Sequence, residues 1–211
     1  MRLVARTIAA IAIGLASAGT AVADNETECY SDDPEVRIRA CSAILQKQYI
    51  PDDARGAAHA SRALGFSLKR DYERAIDDYD QAIKLVPNFA TALNNRAWAY
   101  FKWGRPQLGK ADVEKSLALS PVSGATYDTR AHISQSEGDA TSALRDYTLA
   151  MQYGGELMIT MYQCGLQEQG LYKGPRDGRA NQELRTALKL CVENTKCDPL
   201  PADEFCRPAA S

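Results

Sequence analysis

Small, bulky and charged positions recur with a fixed period along the middle of the chain. The repetition covers residues 56–155, and an Arg-Ala pair returns at the same place in every unit. In the second half of each unit, small residues lie seven positions apart with a bulky residue between them, as in Ala75, Tyr79 and Ala82. This spacing is typical of a helix face that another helix approaches closely. The period therefore predicts three pairs of helices, over residues 56–89, 90–123 and 124–155.

Two helices in a unit of about 34 residues, with small, aromatic and proline positions in this order, resemble the tetratricopeptide repeat (TPR). The resemblance implies an all-α TPR helical-hairpin solenoid with three full repeats, in which the first helices line a concave groove. Asp33-Pro34 fits a helix start, and the small-residue spacing after it resembles the second helix of a repeat. We therefore expect residues 24–55 to form an N-terminal half-repeat that caps the stack.

Every unit departs from the TPR pattern in the same way, because Arg-Ala stands where the family usually has Leu-Gly. Each arginine is followed by an aspartate at a fixed spacing, which spans the turn between two paired helices. The pairs are Arg62 with Asp78, Arg96 with Asp112, and Arg130 with Asp146. We predict one partly buried bidentate salt bridge per repeat, with a structural role. The alternative is that both charges reach solvent separately.

The TPR resemblance also places a set of side chains on the concave surface, where this family binds its partners. Trp98 and Phe101 would form aromatic anchors with polar groups around them, although Trp98 could instead pack against the neighbouring helix. Asn94 and Lys102 alone have the character of the side chains that clamp acidic tails in this family, so we do not expect such a clamp. The predicted groove consists of Leu64, Asn94, Trp98, Phe101, Lys102, Asp128, His132 and Gln135.

A second pattern begins after Gly154-Gly155, and it resembles the small helical peptidoglycan-binding-like domain. The residues that carry the resemblance are Gln163, Leu166, Gly170, Tyr172, Gly174, Asp177 and Gly178. It implies a small helical module over residues 156–193, whose second helix covers about residues 182–192. These residue types mainly end helices and form turns. The match therefore supports the fold of the module more strongly than it supports binding to the cell wall.

Residues 1–23 have the composition of a secretory signal peptide. Arg2 and Arg6 precede a short apolar run, and an A-x-A site ends at Ala23. The run is too short to span a membrane, so we expect an exported chain, most simply in the bacterial periplasm, with no transmembrane segment. Removal of Arg2 and Arg6 leaves 23 of the 25 basic residues, against 27 acidic ones. The formal net charge of the expected mature chain is then −4, compared with −2 for the full sequence. This balance argues against a nucleic-acid partner.

Six cysteines remain in the expected mature chain: Cys29, Cys41, Cys164, Cys191, Cys197 and Cys206. An even number in an exported chain indicates disulfides, and residues 194–211 are expected to form a disulfide-tied tail. On proximity we favour Cys29–Cys41 and Cys197–Cys206, which leaves Cys164 with Cys191, although six cysteines allow about 15 pairings. Zinc is the alternative, but the sequence has no C-x-x-C and no nearby histidine.

Candidate catalytic chemistry is missing from the sequence. His59 and His132 are the only 2 histidines, and we expect His59 to have a role in the core. Neither has a nucleophile, base or metal-ligand cluster beside it in the predicted fold, so we predict no enzymatic activity, no metal and no cofactor. The predicted function is an exported scaffold that binds a partner protein or peptide in the TPR groove. The alternative is a cell-envelope tether that binds peptidoglycan through the C-terminal module and recruits partners through the TPRs.

Overall fold

The computed structural model describes residues 25–201 and Cys206. The predicted signal peptide lies outside these residues. The described chain is helical and contains no strand, and none of its helices is both long and apolar enough to cross a membrane. The helices are α1 (residues 25–28), α2 (Pro34–Leu45), α3 (Asp52–Leu68), α4 (Tyr72–Leu85), α5 (Ala90–Lys102), α6 (Pro106–Leu119), α7 (Gly124–Ser136), α8 (Ala140–Glu168) and α9 (Gln182–Val192).

Helices α3 to α8 form three stacked hairpins, and α2 packs on the first of them. Neighbouring first helices, α3 with α5 and α5 with α7, also touch. The structure therefore confirms the all-α solenoid, and most helix ends fall close to the predicted positions. Helix α3 begins at Asp52, inside the stretch predicted to form the N-terminal half-repeat. Two aspartates in its first turn favour this early start, because negative charge stabilises a helix N-terminus.

The small residues of the repeats allow the two helices of a hairpin to approach closely. A β-carbon added at Gly109 on α6 would lie only 2.9 Å from the Cα of Ala97 on α5. Ala97 itself is fully buried, as are its counterparts Ala63 and Ala131 in the other repeats. The alanine of each Arg-Ala pair therefore marks the helix–helix contact, while the adjacent arginine reaches the edge of the same interface.

The predicted Arg–Asp salt bridges are present in all three hairpins. The central one joins Arg96 Nε to Asp112 Oδ2 and Arg96 Nη2 to Asp112 Oδ1, each over 2.7 Å. The bridges of the other two repeats have the same bidentate form. The carboxylates are buried and the guanidinium groups are about one-quarter exposed or less, with a largest value of 24%. His59, which was expected in the core, is half-buried and lies 2.8 Å from Asp78 through Nδ1.

These bridges also connect one repeat to the next, which the sequence analysis did not anticipate. Arg96 Nη1 donates to Asp80 Oδ1 of the preceding repeat over 2.6 Å. Arg130 Nη1 donates in the same way to Glu114, over 3.1 and 3.2 Å. Each of these arginines therefore joins a buried carboxylate of its own hairpin to an exposed carboxylate of the hairpin before it.

Helix α8 continues beyond the third repeat. It bends at Gly155, whose φ of 61° is compatible with glycine but costly for other residues. The second part of α8, residues 156–168, then packs against α9 and leads into it through a loop. The predicted change after Gly154-Gly155 is thus a break at Gly155 between two helical parts of α8, and α9 has the bounds that the second pattern predicted.

The structure corrects two of the three favoured disulfides. Cys29 pairs with Cys41 as predicted, but Cys164 pairs with Cys206 and Cys191 pairs with Cys197. The chain turns back immediately after α9, where the Cys197 N–H donates to the Asn194 carbonyl over 2.9 Å. This turn returns Cys197 to the end of α9, so Cys191 is its near neighbour and Cys206 is left for Cys164.

Candidate functional site

The concave surface is formed by the first helices of the repeats and is extended by the second part of α8. Residues of α5, α7 and α8 line one common cavity on this surface. The repeat register continues across the kink, because the Tyr162 hydroxyl donates to Asp128 Oδ1 over 2.6 Å and the two residues are 34 positions apart. The concave groove therefore consists of α3, α5, α7 and the second part of α8.

The chain's own C-terminal segment, residues 194–201, covers the end of the groove beside α7. Gln135 Nε2 lies 3.2 Å from the Cys191 carbonyl, 3.0 Å from that of Asn194 and 2.8 Å from that of Cys197. Its Oε1 accepts a hydrogen bond of 2.7 Å from the Tyr147 hydroxyl. One glutamine side chain from the third repeat therefore binds the main chain at the end of α9 and at the start of the C-terminal segment.

His132 holds the same segment through an ion pair. Its Nδ1 lies 2.8 Å from the Asp128 carbonyl and its Nε2 lies 3.0 Å from Asp198 Oδ1. Burial alone would lower the pKa of His132, but the charges of Asp128 and Asp198 and the hydrogen bonds raise it to about 9. Burial would raise the pKa of Asp198, but the contact with His132 outweighs it and holds that pKa below its usual value. His132 is therefore a buried cation at neutral pH.

The polar residues around His132 do not form a metal centre. Among residues 25–201 and 206, no three His, Cys, Asp or Glu side chains are grouped so that they could hold a metal ion. The imidazole nitrogens of His132 are already engaged by Asp128 and Asp198. This arrangement can bind and orient a carboxylate and main-chain carbonyls.

A cavity of about 740 Å³ opens on the concave surface beside the C-terminal segment. Its apolar lining comes from Trp98, Leu157, Met158, Met161 and Leu200, and its polar lining from Asn94, Asn95, Asp128, Thr129 and Thr160. The cavity therefore combines an adaptable apolar wall, with two methionines, and a polar wall formed by α5 and α7.

Asn94 is the residue in this cavity whose hydrogen bonding is incomplete. Its side chain is buried, with 8% of the residue exposed, and its Oδ1 has no hydrogen-bond partner in the described chain. Its Nδ2 donates to Asn95 Oδ1 over 3.3 Å. A buried acceptor without a partner costs about 1–3 kcal/mol. A ligand with an N–H group in the cavity would supply the missing donor.

Six of the eight residues predicted for the groove are divided between these two environments. Those that line the open cavity are Asn94, Trp98 and Asp128. Those that lie against residues 195–198 are Phe101, His132 and Gln135. Lys102 Nζ lies 5.2 Å from the centre of the Trp98 ring, and Leu64 is half-buried on α3, outside both linings.

Sequence reasoning missed the contribution of α8 to the cavity. Leu157, Met158 and Met161 were assigned to the module that follows the repeats, so they were not considered as groove residues. The repeat register would have found them, because Tyr162 stands one period after Asp128 and two periods after Asn94. Leu200 carries no such signal, because it reaches the cavity through the fold of the C-terminal segment.

The residues of the peptidoglycan-binding-like motif bond to one another and fix the loop between α8 and α9. Gln163 is fully buried, and its Nε2 donates to Asp177 Oδ1 over 2.9 Å. Its Oε1 accepts from the N–H of Gly178 over 3.0 Å. Tyr172 is buried and its hydroxyl accepts from Asn181 over 3.1 Å. These side chains therefore serve the folding of the module.

Comparison with known protein families identifies the repeats. A family model described as TPR repeat matches residues 69–104, and a second, described as Tetratricopeptide repeat, matches residues 90–123. The chain thus contains tetratricopeptide repeats, and such repeats suggest an interaction scaffold for other proteins.

The chain is also similar in sequence to named proteins, in each case over part of their length. The chain is 28% identical over 149 residues to the Hsp70-Hsp90 organizing protein 3 of Arabidopsis thaliana, covering 71% of this chain and 22% of that protein. It is 34% identical over 88 residues to Tetratricopeptide repeat protein 36 of Bos taurus, covering 40% of this chain and 47% of that protein. The chain spans about a fifth of the length of the Arabidopsis organizing proteins, with 22% and 23% coverage.

A solved structure shares the fold. The crystal structure of MamA matches with a TM-score of 0.54 and 16% sequence identity, over 65% of this chain and 78% of that chain. At this identity the match supports the helical solenoid and carries no information on partners.

Proposed function

We propose that this protein is an exported scaffold that holds an extended segment of a partner protein in the open part of the concave groove. The observation that carries the proposal is Asn94, a buried acceptor without a partner beside an open, largely apolar cavity. In this proposal a main-chain N–H of the partner donates to Asn94 Oδ1. A neighbouring apolar side chain of the partner enters between Trp98, Met158 and Met161.

The energetics favour a peptide over a purely apolar ligand. A hydrocarbon would bury the methionines and Trp98, but it would leave the Asn94 carbonyl oxygen without a donor. A peptide supplies both the apolar contact and the N–H, and each additional hydrogen bond contributes about 0.5–1.5 kcal/mol. The likeness of the chain to Hsp70-Hsp90 organizing proteins agrees with a protein partner, but the Asn94 cavity is the basis for placing it.

Peptide selection followed by affinity measurements tests this proposal. Displayed peptides selected on the oxidised protein would be synthesised and their binding measured by fluorescence polarisation. Asn94→Leu should leave stability equal or higher, because it removes the unpaired acceptor, yet it should weaken peptide binding about tenfold, as the loss of about 1.4 kcal/mol implies. Trp98→Ala should weaken binding at least as much, whereas Trp103→Ala, on the same chain but outside the cavity, is the matched control. Unchanged affinity in both Asn94→Leu and Trp98→Ala would exclude this site.

Export belongs to the same proposal. Three disulfides are consistent with an oxidising compartment, and the sequence before Asp24 supports cleavage of a signal peptide. N-terminal sequencing of the protein isolated from the periplasm should begin at Asp24. A chain that retains residues 1–23 would contradict the assignment.

The tether to peptidoglycan is the alternative proposal, and it is supported by the motif that forms the loop between α8 and α9. The internal bonding of Gln163 and Tyr172 leaves recognition of a glycan to other groups of that loop. Cosedimentation with purified peptidoglycan tests the tether. Protein that stays in the supernatant at low and high salt would exclude it.

A further inference from the structure

We infer that residues 198–201 are an exchangeable ligand of the groove, and that His132 forms a subsite for an extended acidic peptide once the Cys164–Cys206 disulfide is open. These residues would then control how much of the groove a partner can reach. The subsite borders the Asn94 cavity through Leu200, but its donor, His132, is not part of that cavity. The inference therefore does not depend on a peptide binding at Asn94.

The subsite is preformed by the solenoid. Gln135 Oε1 is held by the Tyr147 hydroxyl on α8 over 2.7 Å, which directs Nε2 towards the C-terminal segment. His132 Nδ1 faces the Asp128 carbonyl on its own helix at 2.8 Å, which directs Nε2 towards Asp198. Neither orienting partner belongs to the segment. Both donors would therefore keep their direction after the segment leaves, which lowers the ordering cost of a replacement ligand.

The contacts define the chemistry of the ligand. Gln135 Nε2 binds the main chain up to the Cys197 carbonyl, at 2.8 Å, and the Cys191–Cys197 bond keeps this part in place. His132 binds a carboxylate on the next residue, Asp198, at 3.0 Å. Two residues further on, Leu200 is buried against the groove, between Pro199 and Pro201. The subsite thus fits an extended segment with an acidic residue followed at the second position by an apolar one.

The segment is attached in a way that permits release. Its buried apolar residues form one short run, Pro199, Leu200 and Pro201, close to the half-cystine Cys197, while residues 194–196 are exposed. The Cys164–Cys206 disulfide links the chain beyond the segment to α8. While that bond is closed, the segment remains at a high local concentration, on the order of millimolar for a short tether, and outcompetes a free peptide.

The redox step is a thiol–disulfide exchange. A dithiol reductant would give two electrons and two protons to the Cys164–Cys206 bond, which breaks into two thiols while the dithiol becomes a disulfide. The Cys191–Cys197 bond closes a short loop, with a separation of 6 residues, and keeps only the start of the segment near α9. Opening Cys164–Cys206 is therefore the step that frees residues 198–201.

A released form can be made in the full chain without deleting the segment. Cys164→Ser and Cys206→Ser remove the link. Gly165→Ala disfavours docking of the segment through a steric clash. The new β-carbon would overlap the Pro199 carbonyl oxygen and the Leu200 carbonyl carbon. Alanine also favours helix α8, so this change opposes the docking without weakening the helix itself.

The experiment compares this triple variant with the oxidised unsubstituted chain. Hydrogen exchange at Asp198 and Leu200, which carry the amides of residues 198–201, should become at least tenfold faster in the variant, while α3 to α8 keep their protection. A fluorescein-labelled peptide with the sequence of residues 197–201, with serine in place of Cys197, should bind the variant at least tenfold more tightly. Adding His132→Leu should abolish that binding, because leucine cannot donate to the carboxylate of Asp198. A probe with Asp198→Asn should bind about tenfold more weakly.

Two outcomes would overturn the inference. If the Asp198 and Leu200 amides keep full protection in the triple variant, residues 198–201 are a fixed part of the core. If these amides lose protection but the peptide does not bind, His132 does not form a receptor site. Should the triple variant lose its helical circular dichroism, the same two measurements are made on the unsubstituted chain titrated with dithiothreitol, with cleavage of Cys164–Cys206 followed by mass spectrometry.

Discussion

The buried salt bridge between Arg96 and Asp112 gives the sharpest test of what holds the repeats together. Arg96 binds two carboxylates, of which Asp112 is buried with a side-chain exposure of 10%, and Asp80 is 50% exposed. The distances are nearly equal, 2.7 Å to Asp112 and 2.6 Å to Asp80. The comparison of Asp112→Asn with Asp80→Asn therefore keeps the arginine, the distance and the chemical substitution the same. It changes the burial of the carboxylate and the number of its hydrogen bonds, which is two for Asp112 and one for Asp80.

The two substitutions should lower the free energy of unfolding by different amounts, because the two carboxylates differ in their exposure to solvent. Removing one partner of a buried ion pair costs about 3–5 kcal/mol, and Asp80 remains to compensate part of the charge of Arg96. We therefore expect Asp112→Asn to lower the free energy of unfolding by about 3 kcal/mol, which corresponds to a Tm lower by about 6–12 °C for a chain of this size. Asp80→Asn removes an exposed partner and should cost at most about 1 kcal/mol.

Urea unfolding followed by circular dichroism measures both variants. Arg96→Met combined with Asp112→Leu is a third arm, because replacing both charges with apolar groups should recover most of the loss. Equal losses for Asp112→Asn and Asp80→Asn would refute the argument from burial. So would a loss below about 1 kcal/mol for Asp112→Asn, since an exposed pair would give that value.

Two further predictions concern His132 and the contact between α7 and α8. Because the folded-state pKa of His132 is raised to about 9, its stabilising charge is fully present below about pH 6.5 and is lost as the pH rises towards 9. The free energy of unfolding should fall over that range by roughly 3 kcal/mol, and His132→Gln should remove this pH dependence in urea titrations. Gly124→Ala would place a β-carbon 2.4 Å from the Gly154 nitrogen and should cost about 1–3 kcal/mol, whereas Ala125→Ser, next to it and exposed, should change stability by less than about 0.5 kcal/mol.

The helices and the salt bridges were predictable because the residues that form them recur in every repeat of the sequence. Ala97 and Gly109 are small because two helices touch there, and Arg96 and Asp112 keep their spacing because both must reach one interface. These constraints are local to a hairpin and recur in every unit, so they produce a periodic pattern in the sequence.

The contacts between the groove and the C-terminal segment produce no such pattern in the sequence. Gln135 contacts main-chain carbonyls as far as 62 residues away, and a carbonyl is the same in every residue type. The ion pair between His132 and Asp198 spans 66 residues and occurs once. The favoured disulfides were wrong for a related reason, because proximity in sequence ignores the turn that returns Cys197 to Cys191. What could not be predicted is therefore the path of an irregular chain segment.

The same register shows how the stack ends. One period after Arg130-Ala131 the sequence has Cys164-Gly165, so the fourth unit replaces both residues that define the hairpin contact in the first three. Cys164 forms a covalent bond to Cys206 where the other units have a salt bridge. Gly165 leaves room for the main chain of Pro199 and Leu200, as Ala97 leaves room for the helix that carries Gly109.

The C-terminal segment thus lies against α8 at the position where a regular repeat would place its second helix. A helix in that place would be held by apolar burial along its length, whereas this segment has one short apolar run, residues 199–201, together with polar contacts and two disulfides. That difference makes the last unit the part of the groove whose occupant can change.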